Sequence, residues 1–119
     1  HDVGREAVTK FRVKESFNGF TLVKCFPETG RTHQIRLHMK SLNHPVLCDS
    51  DYSRRRKLYL SELEGVKRRP EESPLLERQA LHAARIEFSH PDGRLMTFEQ
   101  EPPEDMRGTL SALREYRKV

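Results

Sequence analysis

Alternation of apolar and polar residues predicts a β-hairpin near the start of the chain. Residues 7–17 alternate with the period of a half-buried strand. Its apolar positions share one parity: Phe11, Val13 and Phe17. Asn18-Gly19 follows, and because both residues tolerate positive φ, we predict a two-residue type I′ turn. The run 20–26 should then return as the antiparallel partner.

The pattern changes to a helical period after the hairpin. The apolar positions recur at i, i+4 and i+7: Ile35, Met39 and Leu42. We place the N-cap at Thr32 and the end of the helix by residues 43–44, because Pro45 disfavours helical geometry at the residue before it. Residues 46–48 predict a brief extended segment that leads into an acidic turn at 49–52.

The second half of the chain predicts another hairpin and a terminal helix. Residues 81–88 and 95–98 are strand candidates on either side of the turn signal Asp92-Gly93. The helix is indicated by apolar residues at helical spacing: Met106, Leu110, Leu113 and Tyr116. Residues 53–77 show little apolar periodicity and carry two basic clusters, so we predict a long basic loop or insertion at the surface.

Composition limits the class of protein. The chain has 119 residues, of which 34% are apolar and 34% charged, enough for one domain with a thin core or for half of a larger domain. No apolar run is long enough to span a membrane, and no apolar signal segment opens the chain; the missing initiator Met we interpret as truncation. Two cysteines do not suggest a disulfide scaffold, so we expect a reducing cytoplasm.

Basic charge favours a polyanionic partner. The formal net charge is +4, the pI is about 9.3, and basic residues cluster at 54–57 and 67–69. Lysines and arginines that neutralise phosphates release condensed counterions, which favours nucleic-acid binding. Many basic proteins bind no nucleic acid, so charge alone leaves this question open.

The densest group of chemically capable side chains lies at residues 29–38, on a glycine-led loop and the first turns of the predicted helix. The group contains two arginines, two histidines and a glutamine. His33 and Arg36 are three apart and can converge on one helix face, where an anion would also meet backbone N–H groups. A solvated basic helix accounts for the same pattern. The spacing of cysteines and histidines argues against zinc, so we predict no metal.

Several motifs together resemble the RluA-type RNA pseudouridine synthases. The matching segments are residues 29–38, 44–46, 49–52, 78–83 and 90–106, and residues 1–13 resemble the segment where the family's sequence enters the sheet after its first half. The resemblance covers nearly the whole chain apart from residues 53–77. It implies an α+β fold, a partial pseudouridine synthase fold with a mixed, mostly antiparallel sheet and flanking short helices. It also implies that residues 1–119 are the C-terminal half of a catalytic domain that isomerises uridine in structured RNA, ribosomal or transfer, without metal or organic cofactor.

The resemblance also implies roles for individual residues. Arg36 matches the arginine that pairs with the catalytic aspartate, Ile35 and Leu81 match apolar positions beside the target base, and Arg31 and His33 are candidates for contacting the RNA backbone or bracing the loop. A bidentate guanidinium suits the first task, because it holds a carboxylate ionised and aimed.

The catalytic aspartate itself belongs to an Arg-Leu-Asp motif that precedes the matched segments in the family. We assign its role to no aspartate of this chain, including Asp49 and Asp51. Arg36 should then either meet a carboxylate from the missing N-terminal half or lie in water, because an unpaired buried cation is costly. The isolated chain is expected to be inactive and marginally stable. A non-catalytic RNA-binding module derived from the same fold is the alternative.

Overall fold

The computed structural model describes residues 9–27, 33–83, 85–89 and 94–119. They form four strands and three helices: β1 (Thr9–Phe17), β2 (Phe20–Pro27), α1 (Gln34–Ser41), α2 (Leu60–Glu64), β3 (Arg85–Ser89), β4 (Leu95–Glu99) and α3 (Glu104–Tyr116). Within these ranges β1 pairs with β2 and β3 with β4, giving two separate two-stranded antiparallel sheets. The predicted α+β class is confirmed.

The first hairpin is confirmed, but its turn is not of type I′. Phe17 pairs with Phe20 across the two-residue loop, and only Gly19 of that loop has a positive φ, of 86°. A type I′ turn requires positive φ at both central residues. The Asn18 N–H instead donates a 2.7 Å hydrogen bond to the Arg117 carbonyl, so the chain's C-terminal segment docks against this turn.

The predicted buried face of β1 is wrong for two of its three residues. Phe17 is 7% exposed, whereas Phe11 and Val13 are 50% and 51% exposed. The cause is a shift of register between Val13 and Glu15. One extra residue in a strand moves every later side chain to the opposite face. Residues that share a parity in the sequence therefore face opposite sides of this hairpin.

Helix α1 forms where the apolar spacing predicted it. It begins one residue after His33, which is the N-cap in a left-handed conformation (φ 54°), so the N-cap is not Thr32, which lies outside the described residues. The helix ends before Asn43 (φ 63°) and Pro45, as predicted. Its burial is different: Met39 and Gln34 are buried, whereas Leu42 is 49% exposed.

Segment 53–77 is not a bare surface loop. Leu58 and Leu76 form an isolated antiparallel bridge, closed by a 2.8 Å hydrogen bond from Leu58 N–H to the Leu76 carbonyl, and α2 lies between them. Both leucines are at most 1% exposed. They belong to the main buried apolar cluster: Phe17, Cys48, Leu58, Leu63, Leu76, Ala112 and Leu113. Leucines spaced too irregularly to predict an element thus supply much of the core.

The C-terminal elements agree with the sequence pattern. β3 and β4 form the predicted second hairpin, although β3 begins at Arg85 rather than at residue 81, and its turn at 92–93 lies outside the described residues. Helix α3 follows Pro103 and places Ala112 and Leu113 in the core. No described helix is long and apolar enough to cross a membrane.

Candidate functional site around Arg36

A sharp turn after residue 46 brings an acidic residue towards α1. The predicted extended segment ends early, because Cys48 has a left-handed backbone (φ 61°) and Asp49 N–H bonds to the Val46 carbonyl at 3.1 Å. A distant part of the chain holds this turn in place, because the Ala80 N–H donates a 2.9 Å hydrogen bond to the Leu47 carbonyl. The acidic turn predicted at 49–52 does form.

The Asp49 carboxylate organises this turn. Its Oδ1 accepts hydrogen bonds from the backbone N–H groups of Asp51 at 3.0 Å and Tyr52 at 3.3 Å. Such bonds from an aspartate to the backbone two and three residues onward stabilise a turn locally. The side chain is 0% exposed. A fully buried carboxylate requires a charged partner, since burial without one costs several kcal/mol, on the order of what a domain can spare.

Arg36, from the first turn of α1, is that partner. Its Nε donates to Asp49 Oδ2 and its Nη2 to Asp49 Oδ1, both at 2.7 Å. Nη2 also donates to Asp51 Oδ2 at 2.6 Å. The Arg36 side chain is 11% exposed, while that of Asp51 is 59% exposed. The guanidinium therefore holds a buried carboxylate and a largely exposed one at the same time.

The electrostatics keep Arg36 and Asp49 charged. The hydrogen bonds from Arg36, more than the two from the backbone, lower the pKa of Asp49 to about 2 against the opposing effect of burial. The same bonds raise the pKa of Arg36. One cation between two carboxylates leaves a formal charge of −1 on the cluster.

The Tyr52 ring contacts two cationic side chains of α1. Its ring lies 5.0 Å from Arg36 Cζ and 5.6 Å from Lys40 Nζ, both within cation–π range. The His33 ring meets it edge-on at 6.1 Å between centroids, and His33 Nδ1 lies 3.2 Å from the Tyr52 hydroxyl. The predicted convergence of His33 and Arg36 on one face is confirmed, with Tyr52 as their common contact.

The remaining predicted site residues are Ile35, Leu81 and Arg31. Ile35 is half-buried on α1, and Leu81 is half-buried in the irregular segment before β3, where its N–H bonds to the Gln79 carbonyl at 2.9 Å. Arg31 lies outside the described residues. The roles given to these residues stay predictions.

The prediction for Arg36 was incomplete. It considered only a carboxylate from outside this chain or exposure of the guanidinium to water. The observed partners, Asp49 and Asp51, were missed, as were Tyr52 and Lys40. One signal could have found them. An arginine on a partly apolar helix needs a carboxylate, and Asp49 directly follows the apolar run 46–48 at the start of a turn.

Comparisons with known proteins agree with the motifs. Residues 1–41 match the family described as RNA pseudouridylate synthase. That match includes Arg36 and ends before Asp49. The chain is also 42% identical over 122 residues to the ribosomal large subunit pseudouridine synthase D of Xanthomonas campestris pv. campestris, covering 96% of this chain and 34% of that protein.

Two further relatives give the same result. The synthase D of Vibrio cholerae is 40% identical over 98% of this chain and 36% of its own length. The uncharacterized RNA pseudouridine synthase YlyB of Bacillus subtilis is 42% identical over 93% of this chain and 32% of its own length. These matches, at 40–42% identity over 93–98% of this chain, support the RluA type of RNA pseudouridine synthase as the family of this chain. The chain spans about a third of the length of these curated relatives.

Proposed function

We propose that this chain is the part of an RNA pseudouridine synthase that supplies Arg36 to the active site, with the partial pseudouridine synthase fold that the motifs imply. The full-length protein would convert uridine to pseudouridine. Relatives named for the large ribosomal subunit favour ribosomal RNA over transfer RNA as the substrate class. A cytoplasmic location is part of the same proposal.

The reaction breaks the N1–C1′ glycosidic bond, turns the freed base and joins C5 to C1′, while the proton on C5 is lost and N1 gains one. The base must leave the RNA stack before this bond is accessible. By resemblance, an aspartate carboxylate acts at the reacting sugar and base. Arg36 would keep that carboxylate ionised and aimed, which a bidentate guanidinium does better than lysine.

The observation that carries this proposal is that the Arg36 guanidinium accommodates two carboxylates at once. Asp49 is buried, but the second position is occupied by the exposed Asp51. A carboxylate arriving from elsewhere in the full-length protein would have a place on the same guanidinium. Ile35 and Leu81 would line the pocket of the target base, and His33 with Arg31 would contact the RNA backbone or brace the loop.

Exposed apolar side chains on the first hairpin support packing against the rest of the catalytic domain. Phe11 and Val13 share one face of the hairpin, with Cys25 and Val23 opposite them, and are 50% and 51% exposed. The proposed N-terminal half, with its Arg-Leu-Asp motif, would cover such a face at a gain of roughly 25 cal/mol per Å² buried. We expect the chain alone to be inactive and only marginally stable.

Basic residues beside the Asp49 turn would hold RNA phosphates. Arg56 and Lys57 line a cavity of about 400 Å³ together with Ser50, which lies within the turn. Arg55 is less suited, because it pairs with Glu62. Changing Arg56 and Lys57 to Gln should reduce the salt-dependence slope of RNA binding by about 1 to 2, since each phosphate contact contributes about 0.7–0.9. An unchanged slope would exclude these residues from phosphate binding.

A non-catalytic RNA-binding module is the second candidate function. The observation in its favour is that Arg36 already has carboxylate partners within the chain, so its burial requires no catalytic aspartate. In that case His33, Arg31 and the basic segment would serve only for binding.

Tritium release separates the two functions. The full-length protein is incubated with ribosomal RNA carrying tritium at C5 of uridine, and RNA binding is measured in parallel. The enzyme should release tritium, and Arg36→Ala should lose release while it still binds RNA. Binding without release by the unmodified protein would favour the non-catalytic module, and full release by Arg36→Ala would remove Arg36 from the mechanism.

A further inference from the structure

We infer that Asp49 is a positioning residue for Arg36, and that Asp51 occupies the guanidinium position that the catalytic carboxylate takes in the assembled site. This inference rests on the proposed function, and it divides one cluster into a permanent and an exchangeable carboxylate.

The hydrogen bonds define this division. Asp49 receives Nε and Nη2, the two nitrogens along the side of the guanidinium, in a bidentate pair at 2.7 Å. Asp51 receives only Nη2, through one oxygen at 2.6 Å. A bidentate pair fixes both the direction and the rotation of the guanidinium plane, whereas a single bond does not. Asp49 therefore orients Arg36, and Asp51 adds charge without setting the orientation.

Burial makes the same distinction. The Asp49 side chain is 0% exposed, so displacing it from Arg36 would leave a buried carboxylate without its cation. Asp51 is 59% exposed, so it can turn into water at little cost. When a further carboxylate approaches the guanidinium, Asp51 is the partner that can leave.

Asp49 also acts on Arg36 through Tyr52. The Asp49 carboxylate fixes the backbone N–H of Tyr52 at 3.3 Å, and the Tyr52 ring stands 5.0 Å from Arg36 Cζ. The ring limits how far the guanidinium can swing away from the turn. One buried carboxylate thus controls both the hydrogen-bonding edge of Arg36 and the aromatic surface beside it.

Steady-state kinetics of the full-length protein test the inference, with C5-tritiated ribosomal RNA as the probe. The variants are Asp49→Asn, Asp51→Asn, Arg36→Ala and the double variant Arg36→Ala/Asp49→Asn. Glu15→Gln is the matched control, because Glu15 also binds an arginine, Arg114, through both of that arginine's Nε and Nη2 atoms. Circular dichroism and a thermal melt confirm that each variant is folded.

We expect Asp49→Asn to lower kcat about a hundredfold with KM little changed, as small misplacements of catalytic groups do. The loss of kcat for Asp51→Asn should be at least about tenfold smaller, because the reaction proceeds after Asp51 has moved away from Arg36. In the Arg36→Ala background, Asp49→Asn should cost almost nothing further, since groups that act as a unit are non-additive.

Three results would overturn the inference while leaving the proposed function intact. They are an equal loss for Asp51→Asn and Asp49→Asn, a full additional loss for Asp49→Asn without Arg36, and a change confined to KM. If Asp49→Asn does not fold, Tyr52→Leu replaces it and should lower kcat with KM retained; unchanged kcat would count against the inference. Failure of the unmodified protein to release tritium would instead refute the proposed function.

Discussion

Two arginine–carboxylate pairs with similar geometry differ in their surroundings. Arg36 donates hydrogen bonds to Asp49 from Nε and Nη2, both at 2.7 Å, and the two side chains are 11% and 0% exposed. Arg114 of α3 donates to Glu15 of β1 through the same two nitrogens, from Nη2 to Oε1 at 3.0 Å and from Nε to Oε2 at 3.2 Å, with side chains 53% and 36% exposed. Bidentate geometry alone therefore does not distinguish a pair that stabilises the fold from one that does not; burial and further partners do.

The two regions are held together by different forces. Around α3 the buried residues are mostly apolar, with Thr109 the polar exception on the helix itself, and the Arg114 pair lies next to a core that includes Leu58 and Leu113. Around α1 several apolar side chains are exposed, among them Leu37 and Leu42, and the buried Asp49 carboxylate joins the helix to the turn. The α1 region therefore depends on charge, and the α3 region on apolar burial.

Removing a core leucine should have the largest effect on folding. Leu58→Ala deletes a side chain that is 0% exposed, which should lower the free energy of unfolding by about 2–5 kcal/mol. Urea denaturation of the full-length protein measures the change. Leu42→Ala is the matched control, because Leu42 is 49% exposed, and it should shift the midpoint far less. Equal shifts would contradict the assignment of segment 53–77 to the core.

Deleting the buried carboxylate should follow. Asp49→Ala leaves Arg36 with only the exposed Asp51 and removes the one oxygen that accepts two backbone hydrogen bonds in the turn, which should cost about 3 kcal/mol in urea denaturation of the full-length protein. Asp51→Ala serves as the control and should cost much less, because Asp51 is 59% exposed. A cost for Asp51→Ala as large as that for Asp49→Ala would reverse the two roles.

Acid should weaken the α1 region through the same carboxylate. The pKa of Asp49 in the folded protein is lowered from 3.8 to about 2, so its contribution to stability is present above 3.8 and is lost as the pH falls towards 2. Urea midpoints measured from pH 5 to pH 2 should fall less steeply for Asp49→Asn than for the unmodified protein. Parallel curves would show that Asp49 does not titrate in this window.

The exposed pair should give the smallest effect. Glu15→Gln removes the charge that Arg114 contacts at the surface, where solvent and salt screen the interaction. Urea midpoints with and without Glu15→Gln should agree closely at 150 mM salt, a concentration of about physiological ionic strength. A loss comparable with that of Asp49→Ala would remove the distinction between the two regions.

The sequence predicted the regular elements because their apolar spacing is local. Helix α3 and both hairpins follow from residues within a few positions of each other. The predicted burial of Phe11 and Val13 was wrong. A β-bulge between Val13 and Glu15 moves the later side chains to the other face of the strand, and a lysine at position 14 does not indicate a bulge. The bridge between Leu58 and Leu76 joins positions far apart in the chain, so no local period reveals it.

The site was predicted in part for the same reason. His33 and Arg36 share a helix face, which their spacing of three residues is enough to indicate. The partnership of Arg36 with Asp49 spans 13 positions and depends on the left-handed backbone of Cys48. Family motifs drew attention to Arg36, but they pointed to an aspartate elsewhere and thereby away from the carboxylates of this chain.

The catalytic role proposed for Arg36 is tested by comparing kcat for tritium release by two variants of the full-length protein, Arg36→Ala and Arg114→Ala. Both lose an arginine with a bidentate carboxylate partner. We expect a loss of about a hundredfold or more for Arg36→Ala, the scale of removing one catalytic donor, and near-normal release for Arg114→Ala. Equal kcat for the two variants would contradict this role.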